Sequence, residues 1–499
     1  MPSIGLGVGD DIRHGLTARS FFACLMLLVC YDPRRYQGPK LAAASDLYYA
    51  RMVVTGRPHE RIAALHAQYG PVVRIAPTQL SFTDPSAWRD TFGHRRQGQA
   101  EHPKDPIFHA PFRGNIIGAE RDDHRRFRRL LSHGFSAQAM MNQQPLITQY
   151  VDLLMQQLHE NCGGGSRKLH MTSWYNWCTF NIISHLAFGE PFGCLQNSNY
   201  RPWVSAIFGA VKQNALLGLI GRYALLAPLL KLLIPQSAHL NLTHAKVDKR
   251  LALTAPRPDF IDAMTMKGDL PSLALLFERL RPSASNYAQT MSREEIYDNA
   301  NLLIGAGSET TATALSAATY LLAMNPRVLA KLTTEVRESL SSEGQIDFVS
   351  VQKLDYMLAV LDETLRLHPP SPNANLRRVC DGGDVVCDHF VPHGTSIGVW
   401  HYAIFRDPNN CPDSFIPERW LGDPRFVNDK RDALQPFSYG PRNCIGKNLA
   451  YVEMRVIPAR LLWNFDLTIA EDSRNWQEQE EVYTLWLKGD LNRYLIPKE

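Results

Sequence analysis

Residues 437–447 (FSYGPRNCIGK) constrain this chain most, because they place a cysteine at the junction between a loop and a helix. Turn-forming residues precede Cys444, and apolar residues at helical spacing follow it. Since a helix N-terminus carries partial positive charge, it lowers the pKa of a thiol there and favours the metal-binding thiolate. Gly440 and Gly446 lack a Cβ atom, so the backbone can turn sharply and approach a flat partner closely. A lone cysteine is otherwise most often a small buried hydrophobe.

The spacing around this cysteine resembles the haem-ligand loop of the cytochrome P450 family, Phe-x-x-Gly-x-Arg-x-Cys-x-Gly. Every fixed position of that pattern is present: Phe437, Gly440, Arg442, Cys444 and Gly446. The resemblance implies a mainly α fold with small β-sheets, in which haem b lies between a long central helix and the cysteine loop. It implies that Cys444 is the axial thiolate of the haem iron, which favours O–O cleavage. It further implies that Phe437 shields the sulfur and that Arg442 contacts a propionate.

Composition gives no reason to divide the chain into several domains. The 499 residues are 45% hydrophobic and 20% charged, as in ordinary globular proteins, and contain no linker, charge block or repeat. The resemblance covers residues 38–499, which we expect to form a single domain. A net charge of +4 is too small to indicate a nucleic-acid partner. The nine scattered cysteines, without a CxxC pair, argue against a disulfide framework and for a reducing compartment.

Residues 1–37 predict a hydrophobic anchor followed by a basic hinge. The apolar run 21–30 has ten residues, whereas a transmembrane helix needs about 20, so we expect a shortened or tilted anchor. A buried or disordered segment is the alternative. A signal peptide fits less well, because no small-x-small cleavage pattern follows and Arg34 and Arg35 suit a cytoplasmic flank. Resemblance to fungal microsomal proteins implies the endoplasmic reticulum membrane, with the catalytic domain on its cytosolic face.

The strongly apolar segment 203–235 is a second candidate for membrane contact. Arg222, Pro228 and Lys231 interrupt it, so we expect one or two helices at the membrane interface rather than a span. A buried helical hairpin is equally consistent with the pattern. In the family this region covers the active site and admits lipophilic substrates.

Two local patterns predict a β-hairpin and a buried helix. The runs 72–75 and 79–83, joined around Pro77, have the composition of a β-hairpin. Residues 174–188 are predicted to form a buried helix that ends near Gly189.

An arginine-rich stretch, residues 121–129, predicts a helix with two distinct faces. His124 and Arg128 are four residues apart and share one face; this pair suits two carboxylates and resembles the family's propionate-binding pair. A solvated basic face is the alternative. The other arginines and a lysine of the cysteine loop are candidates for docking an acidic flavin reductase, or are simply solvated: Arg125, Arg126, Arg129 and Lys447.

A long helix is predicted from Ser292, which starts a capping box with Glu295, to about Met324. Thirty residues correspond to a length on the order of 45 Å, enough to cross a domain centre. Gly305 and Gly307 each cost about 1 kcal/mol relative to alanine in a helix. Two such costs indicate that something approaches the backbone there.

The middle of this helix, residues 306–311 (AGSETT), resembles the family's oxygen-binding signature. The resemblance implies that Thr310 holds a water by its hydroxyl and that Glu309 helps to deliver protons. The alternative for Thr310 is a hydrogen bond to its own helix. For Glu309 the alternative is a surface ion pair.

Three further residues resemble the family's structural ion network. Glu363 and Arg366 lie three apart on one helix, and Arg419 follows later. The resemblance implies a buried network that shapes the cysteine loop. Arg377 stands where the family has an arginine that reaches a propionate, although its neighbour Arg378 leaves that assignment open.

These features predict a haem-thiolate monooxygenase that inserts one atom of O2 into a lipophilic terpenoid or polyketide. Residues 433–450 resemble the trichothecene-hydroxylase branch of fungal secondary metabolism. Electrons come from NADPH–cytochrome P450 reductase, with cytochrome b5 as a further candidate donor. The alternatives are a reductase-independent isomerase or dehydratase on the same fold and a non-catalytic haem binder. The pair Glu309 and Thr310 argues against both.

Overall fold

The computed structural model describes residues 36–96, 98–197, 238–253, 259–265, 290–411 and 413–498, with scattered residues between 209 and 223. The predicted anchor and hinge lie almost entirely outside these residues, as does most of the apolar segment 203–235. Within the described ranges, every helix is too short or too polar to cross a bilayer.

Helices make up most of the described chain. They are α1 Lys40–Ala44, α2 Leu47–Val54, α3 Pro58–Tyr69, α4 Ser86–Phe92, α5 Arg121–Ser132, α6 Ala137–Asn161, α7 Met171–Phe188, α8 Cys194–Asn197, α9 Ala238–Leu251, α10 Phe260–Thr265, α11 Arg293–Met324, α12 Pro326–Ser339, α13 Asp355–Leu367, α14 His401–Phe405 and α15 Lys447–Asn464. Together with the small sheets below, they confirm the mainly α class that the sequence predicts.

The strands are short and form separate small sheets. They are β1 Val72–Ala76, β2 Gln79–Phe82, β3 Lys168–His170, β4 Arg377–Arg378, β5 Asp384–Val386, β6 His389–Val391, β7 Ser396–Val399, β8 Phe465–Ile469, β9 Glu481–Tyr483, β10 Leu485–Leu487 and β11 Asn492–Pro497. Four of them make the largest sheet, in the order β1-β2-β7-β4, and three make the sheet β3-β11-β8. The pairs β5-β6 and β9-β10 stand as hairpins.

The predicted hairpin at the start of the domain is confirmed. Strands β1 and β2 are antiparallel, with Val72 opposite Phe82, and β7 then adds to β2 in parallel. Every residue of β1 and β2 is buried, because α3 and α4 flank the sheet. Its last strand, β4, carries Arg377 and Arg378.

Helix α11 runs through the centre of the fold. The predicted capping box is present, with the Ser292 hydroxyl accepting from the Glu295 amide at 3.2 Å and the Ser292 amide donating to the Glu295 carboxylate at 2.8 Å. The helix ends at Met324, as predicted, before Asn325. Residues 311–322 are buried without interruption, so this half of the helix is enclosed by protein on all sides.

Helix α7 packs along α11 and confirms the predicted buried helix, with its C-terminal Gly189 in the left-handed conformation at φ 74°. The contact explains one glycine of α11. A Cβ atom on Gly307 would lie 2.6 Å from Cδ1 of Ile183. The group that approaches the backbone at Gly307 is therefore the neighbouring helix.

Candidate active site

The cysteine loop is held in shape by its own backbone and by helix α4. The Cys444 amide donates to the carbonyl of Phe437 at 2.8 Å, which closes the loop just before α15. Gly440 has φ 74°, and a Cβ atom there would collide with the Phe92 carbonyl. The glycine requirement at 440 thus comes from packing against the protein. The predicted loop-to-helix junction is confirmed.

The thiol of Cys444 lies deep in the molecule and is nevertheless exposed. Burial raises its pKa, while the Gly446 amide, Arg128 and Lys447 act in the opposite direction. The residue is still accessible, so protein atoms do not cover it completely. A Cβ atom on Gly446 would be 3.9 Å from both this sulfur and the Phe135 ring. Glycine at position 446 therefore keeps a side chain away from the sulfur, whose thiolate form a metal could stabilise.

Phe437 contributes its carbonyl to the loop, and its ring packs on helix α15. The ring centroid lies 5.2 Å from that of Tyr451, and the Lys447 ammonium is 5.8 Å from the Phe437 centroid. The predicted shielding of the sulfur by this ring stays a prediction.

A cluster of basic side chains from four segments surrounds one end of the site: Lys104, His124, Arg128, Arg377 and Arg442. Burial, followed by repulsion from the other four, lowers the pKa of His124 to about 3. Burial and Arg442 lower the pKa of Arg377 to about 9. Burial, Arg377 and Arg442 also hold the pKa of Lys104 well below its usual range. Repulsion from neighbouring cations therefore acts on His124, Lys104 and Arg377.

Few anions balance these charges. Among the described groups, the carboxylates of Glu101 and Glu120 oppose the repulsion. Arg442 donates to Glu101 at 2.6 Å and to the Ala119 carbonyl at 2.7 Å. Arg377 lies 3.5 Å from Glu101, and its buried Nε has no hydrogen-bond partner within the described part of the chain. A buried, net positive cluster with an unused N–H fits the two propionates of haem.

Arg128, unlike the other arginines of this cluster, binds the cysteine loop. Both of its terminal nitrogens donate to Asn443, one to the carbonyl and one to the side-chain oxygen. It therefore ties helix α5 to the residue before Cys444. Its contact with a propionate stays a prediction.

Two features of this cluster were not resolved by sequence reasoning. Lys104 was missed, because a single lysine in an irregular loop carries no periodic signal. The choice between Arg377 and Arg378 was open, and the two side chains have different surroundings. Arg378 donates to Asp105 at 3.2 Å, whereas Arg377 is the one within the basic cluster.

Arg377→Met is expected to loosen haem, because hydrogen bonds to charged groups contribute about 1.5–3 kcal/mol, or about 10- to 100-fold. The rate of haem transfer to excess apomyoglobin measures this. Arg378→Met is the matched control, since its guanidinium is engaged by Asp105. Equal haem loss in the two variants would contradict the assignment of Arg377.

The predicted oxygen side of the site corresponds to one face of helix α11. Gly305, Ala306 and Thr310 are partly exposed, although the helix beyond them is buried. The Thr310 hydroxyl donates to the Ala306 carbonyl at 2.7 Å, so the back-bond considered from the sequence is present. The hydroxyl oxygen keeps its acceptor capacity for a water.

Glu309 points away from this exposed face. Its carboxylate is buried and forms an ion pair with Lys488. The alternative of a surface ion pair is therefore wrong, because both partners are enclosed by protein. Desolvation raises the pKa of Glu309, and Lys488 opposes that shift.

The structural ion network lies between α13 and the chain that leads to the cysteine loop. Arg366 donates twice to Glu363, at 2.9 Å each time, and Arg419 lies 3.4 Å from the same carboxylate. Trp420 adds a hydrogen bond at 2.9 Å. Arg419 also binds Asp429. The network predicted for Glu363, Arg366 and Arg419 is present and completely buried.

A buried carboxyl in helix α15 gives a pH-dependent prediction. Burial raises the pKa of Glu453 to about 8, with Thr311 acting weakly against it. The folded protein therefore binds this proton more tightly than the unfolded chain, and stability falls as pH rises from about 4.5 to 8. Glu453→Gln is expected to stabilise the protein, and the gain in the free energy of unfolding should be on the order of 2 kcal/mol larger at pH 8 than at pH 6.

Urea unfolding at both pH values measures this difference. Glu478→Gln, at an exposed site, should show no such difference, and a gain independent of pH would contradict the prediction.

A second group of potential ligands lies beside β4 and β5: His102, Cys380 and Asp384. The Asp384 carboxylate already accepts from Arg95 at 2.7 Å. A guanidinium therefore neutralises the carboxylate in this group. Cys380 makes a useful control for Cys444, because it is a half-buried cysteine outside the haem loop.

The comparisons with known proteins agree with this geometry. The family model described as Cytochrome P450 matches residues 47–494. The trichothecene C-15 hydroxylase of Fusarium sporotrichioides is 45% identical over 97% of this chain and 98% of that protein. The averantin hydroxylase of Dothistroma septosporum is 44% identical over 94% of this chain and 88% of that protein. A cytochrome P450 monooxygenase of Aspergillus oryzae is 41% identical over 93% of this chain and 92% of that protein.

The chain therefore belongs to the cytochrome P450 family. It is a haem-dependent monooxygenase, as the sequence predicts, and works with a redox partner on a lipophilic substrate.

Proposed function

We propose that this enzyme hydroxylates or epoxidises a lipophilic secondary metabolite, a terpenoid or polyketide, with Cys444 as the axial thiolate. The accessible Cys444 carries this proposal, because its loop is closed by its own backbone and Arg128 and Lys447 act on its thiol. Two of the relatives named above are a trichothecene C-15 hydroxylase and an averantin hydroxylase, and we infer a secondary metabolite as the substrate of this chain too.

The haem supplies the oxygen-activating chemistry when it is bound. On this chain, Cys444 would hold the iron, while Arg377, Arg442 and His124 would hold the propionates together with Lys104. Since His124 is neutral at physiological pH, it contributes a hydrogen bond rather than a charge. Arg128 would act on the loop that presents the thiolate.

Thr310 and Glu309 would manage protons on the opposite side. The Thr310 hydroxyl faces the partly exposed stripe of α11 and can accept a hydrogen bond from a water there. Glu309 is the preceding residue and would resupply protons to the water at Thr310.

Electrons would come from NADPH–cytochrome P450 reductase, with cytochrome b5 as a second donor. Three cations support a docking surface near the thiolate side, since all are exposed: Arg125, Arg129 and Lys447. Arg126 does not belong to this surface, which corrects the set predicted from sequence. It donates to Glu295 at 2.6 Å and to Asp123 at 2.8 Å, because it joins α5 to the start of α11.

The domain organisation belongs to the same proposal. Residues 38–499 would form one catalytic domain on the cytosolic face of the endoplasmic reticulum. Residues 1–37 would anchor that domain to the membrane.

Labelled dioxygen tests the function. Full-length protein is reconstituted with the reductase and NADPH and is given averantin or a trichothecene. We expect one labelled oxygen atom in the product and no turnover without NADPH. Turnover without NADPH would instead identify the isomerase or dehydratase alternative.

Thr310→Ala is expected to retain haem and to divert NADPH electrons to peroxide, because a water loses its hydrogen-bond partner at the oxygen side. General acid–base positioning of this kind contributes a factor of about 10² or more to the reaction rate. Peroxide released per NADPH measures it. Ser316→Ala is the control, because Ser316 makes the same back-bond, to Ala312 at 2.8 Å, within the enclosed half of α11. Unchanged coupling in Thr310→Ala would contradict the role of Thr310.

A further inference from the structure

The C-terminal hairpin inserts a lysine into the centre of the protein. Lys488 directly follows strand β10, and its side chain is only 3% exposed. Its ammonium contacts the Glu309 carboxylate and the Thr313 hydroxyl, the latter at 2.7 Å. Glu309 and Thr313 are four residues apart, so both lie on one face of α11. Lys488 is therefore buried against two polar partners on α11.

The hairpin is anchored firmly enough to fix this lysine. Trp486 is buried, and its indole N–H donates to the Pro369 carbonyl at 2.7 Å. The same indole stacks on His368, with 4.2 Å between ring centroids. On the other strand, the Val482 amide donates to the Gly56 carbonyl at 2.7 Å. Lys488 therefore reaches α11 from a rigid support.

The surroundings of Glu309 make its charge depend on this lysine. One carboxylate oxygen faces Lys488, and Oε2 is buried without a hydrogen-bond partner among the described residues. Glu480, from the loop before β9, is a second acid facing Glu309, and it is held by His368 at 2.7 Å. Lys488 opposes both desolvation and this neighbouring carboxylate, although the pKa of Glu309 remains above its usual value. Without it, Glu309 would bind a proton and be free to rotate.

We propose that Lys488 is a positioning residue that holds Glu309 as an oriented carboxylate behind the oxygen-side face of α11. The inference rests on the proposed role of Glu309 in proton delivery. A proton from solvent water reaches Glu309 and leaves it toward the water at Thr310, while Lys488 keeps its own protons. Lys488 would set when Glu309 is charged and where it points, so it would determine how much reduced oxygen escapes as peroxide.

The test uses the full-length holoenzyme with reductase, NADPH and dioxygen as the only oxidant, and compares peroxide with water formed per NADPH. Lys488→Met should reduce water formation about 10²-fold, close to the effect of Glu309→Gln. Lys488→Arg, which keeps the charge, should restore the wild-type ratio. Lys331→Met is the control, because Lys331 pairs with Glu418 at the surface at 3.2 Å.

An infrared measurement separates positioning from a merely structural effect. Lys488→Met should show a new protonated-carboxyl band that shifts in deuterium oxide and is absent from the wild type. The double variant Glu309→Gln/Lys488→Met removes the buried charge pair altogether, so it should fold, lack that band and uncouple no more than Glu309→Gln alone.

The outcomes distinguish this inference from the function on which it rests. If Glu309→Gln uncouples and Lys488→Met keeps the wild-type ratio without a new band, the role of Lys488 is wrong and that of Glu309 stands. If Glu309→Gln leaves the ratio unchanged, the role of Glu309 itself fails. Additive uncoupling in the double variant also overturns the inference, because the two residues would then act independently.

Discussion

Cys444→Ser is expected to abolish monooxygenation, because a serine hydroxyl does not replace a thiolate as a strong donor to iron. The loss should be at least about 10³-fold, equivalent to about 4 kcal/mol in the activation free energy. The reduced carbonyl complex should lose the red-shifted Soret band that reports thiolate ligation. The fold should survive, since Cys444 is exposed and the loop is closed by the backbone bond to Phe437.

The control for this variant is a second cysteine. Cys380→Ser changes a half-buried thiol outside the haem loop and should leave both the band and the activity intact. The opposite pattern, with the band lost in Cys380→Ser and kept in Cys444→Ser, would assign the ligand to the other cysteine.

Glu363→Ala is expected to prevent accumulation of folded holoprotein. It would leave the guanidinium groups of Arg366 and Arg419 buried without their shared carboxylate. Breaking a buried ion pair on one side costs about 3–5 kcal/mol, which is a large part of the stability of a typical domain. Haem content of the soluble fraction and the thermal midpoint of any folded protein measure the effect.

An exposed pair of the same spacing serves as the control. Glu471 also has an arginine three residues later, Arg474, but its side chain is 86% exposed. Exposed pairs of this kind contribute about 0–1 kcal/mol, so Glu471→Ala should behave like the wild type. Similar losses in Glu363→Ala and Glu471→Ala would contradict the importance given to burial.

The elements that were predicted correctly are those with local signals. The capping box of Ser292 and Glu295, and the glycine after α7, each depend on a few neighbouring residues. The cysteine loop belongs with them, because its spacing is fixed by one backbone hydrogen bond and one left-handed glycine. The capping box and the glycine after α7 can be read from sequence without knowledge of the rest of the chain, whereas the contact of Gly440 with Phe92 cannot.

The features that sequence reasoning missed depend on contacts between distant segments. Lys104 joins a basic cluster only because β4 and α5 lie beside its loop. Lys488 meets Glu309 across 179 residues, through a hairpin with no charge pattern of its own. Arg126 has the same residue type as its exposed neighbours, and only the packing of α5 on α11 shows that it is a structural tie.

The most direct test of the account is X-ray absorption at the iron edge of the purified wild-type holoprotein. We predict one iron–sulfur scattering path beside the porphyrin nitrogens, retained in Cys380→Ser and lost in Cys444→Ser. A wild-type spectrum with nitrogen and oxygen ligands alone would contradict the thiolate ligation on which the proposed chemistry depends.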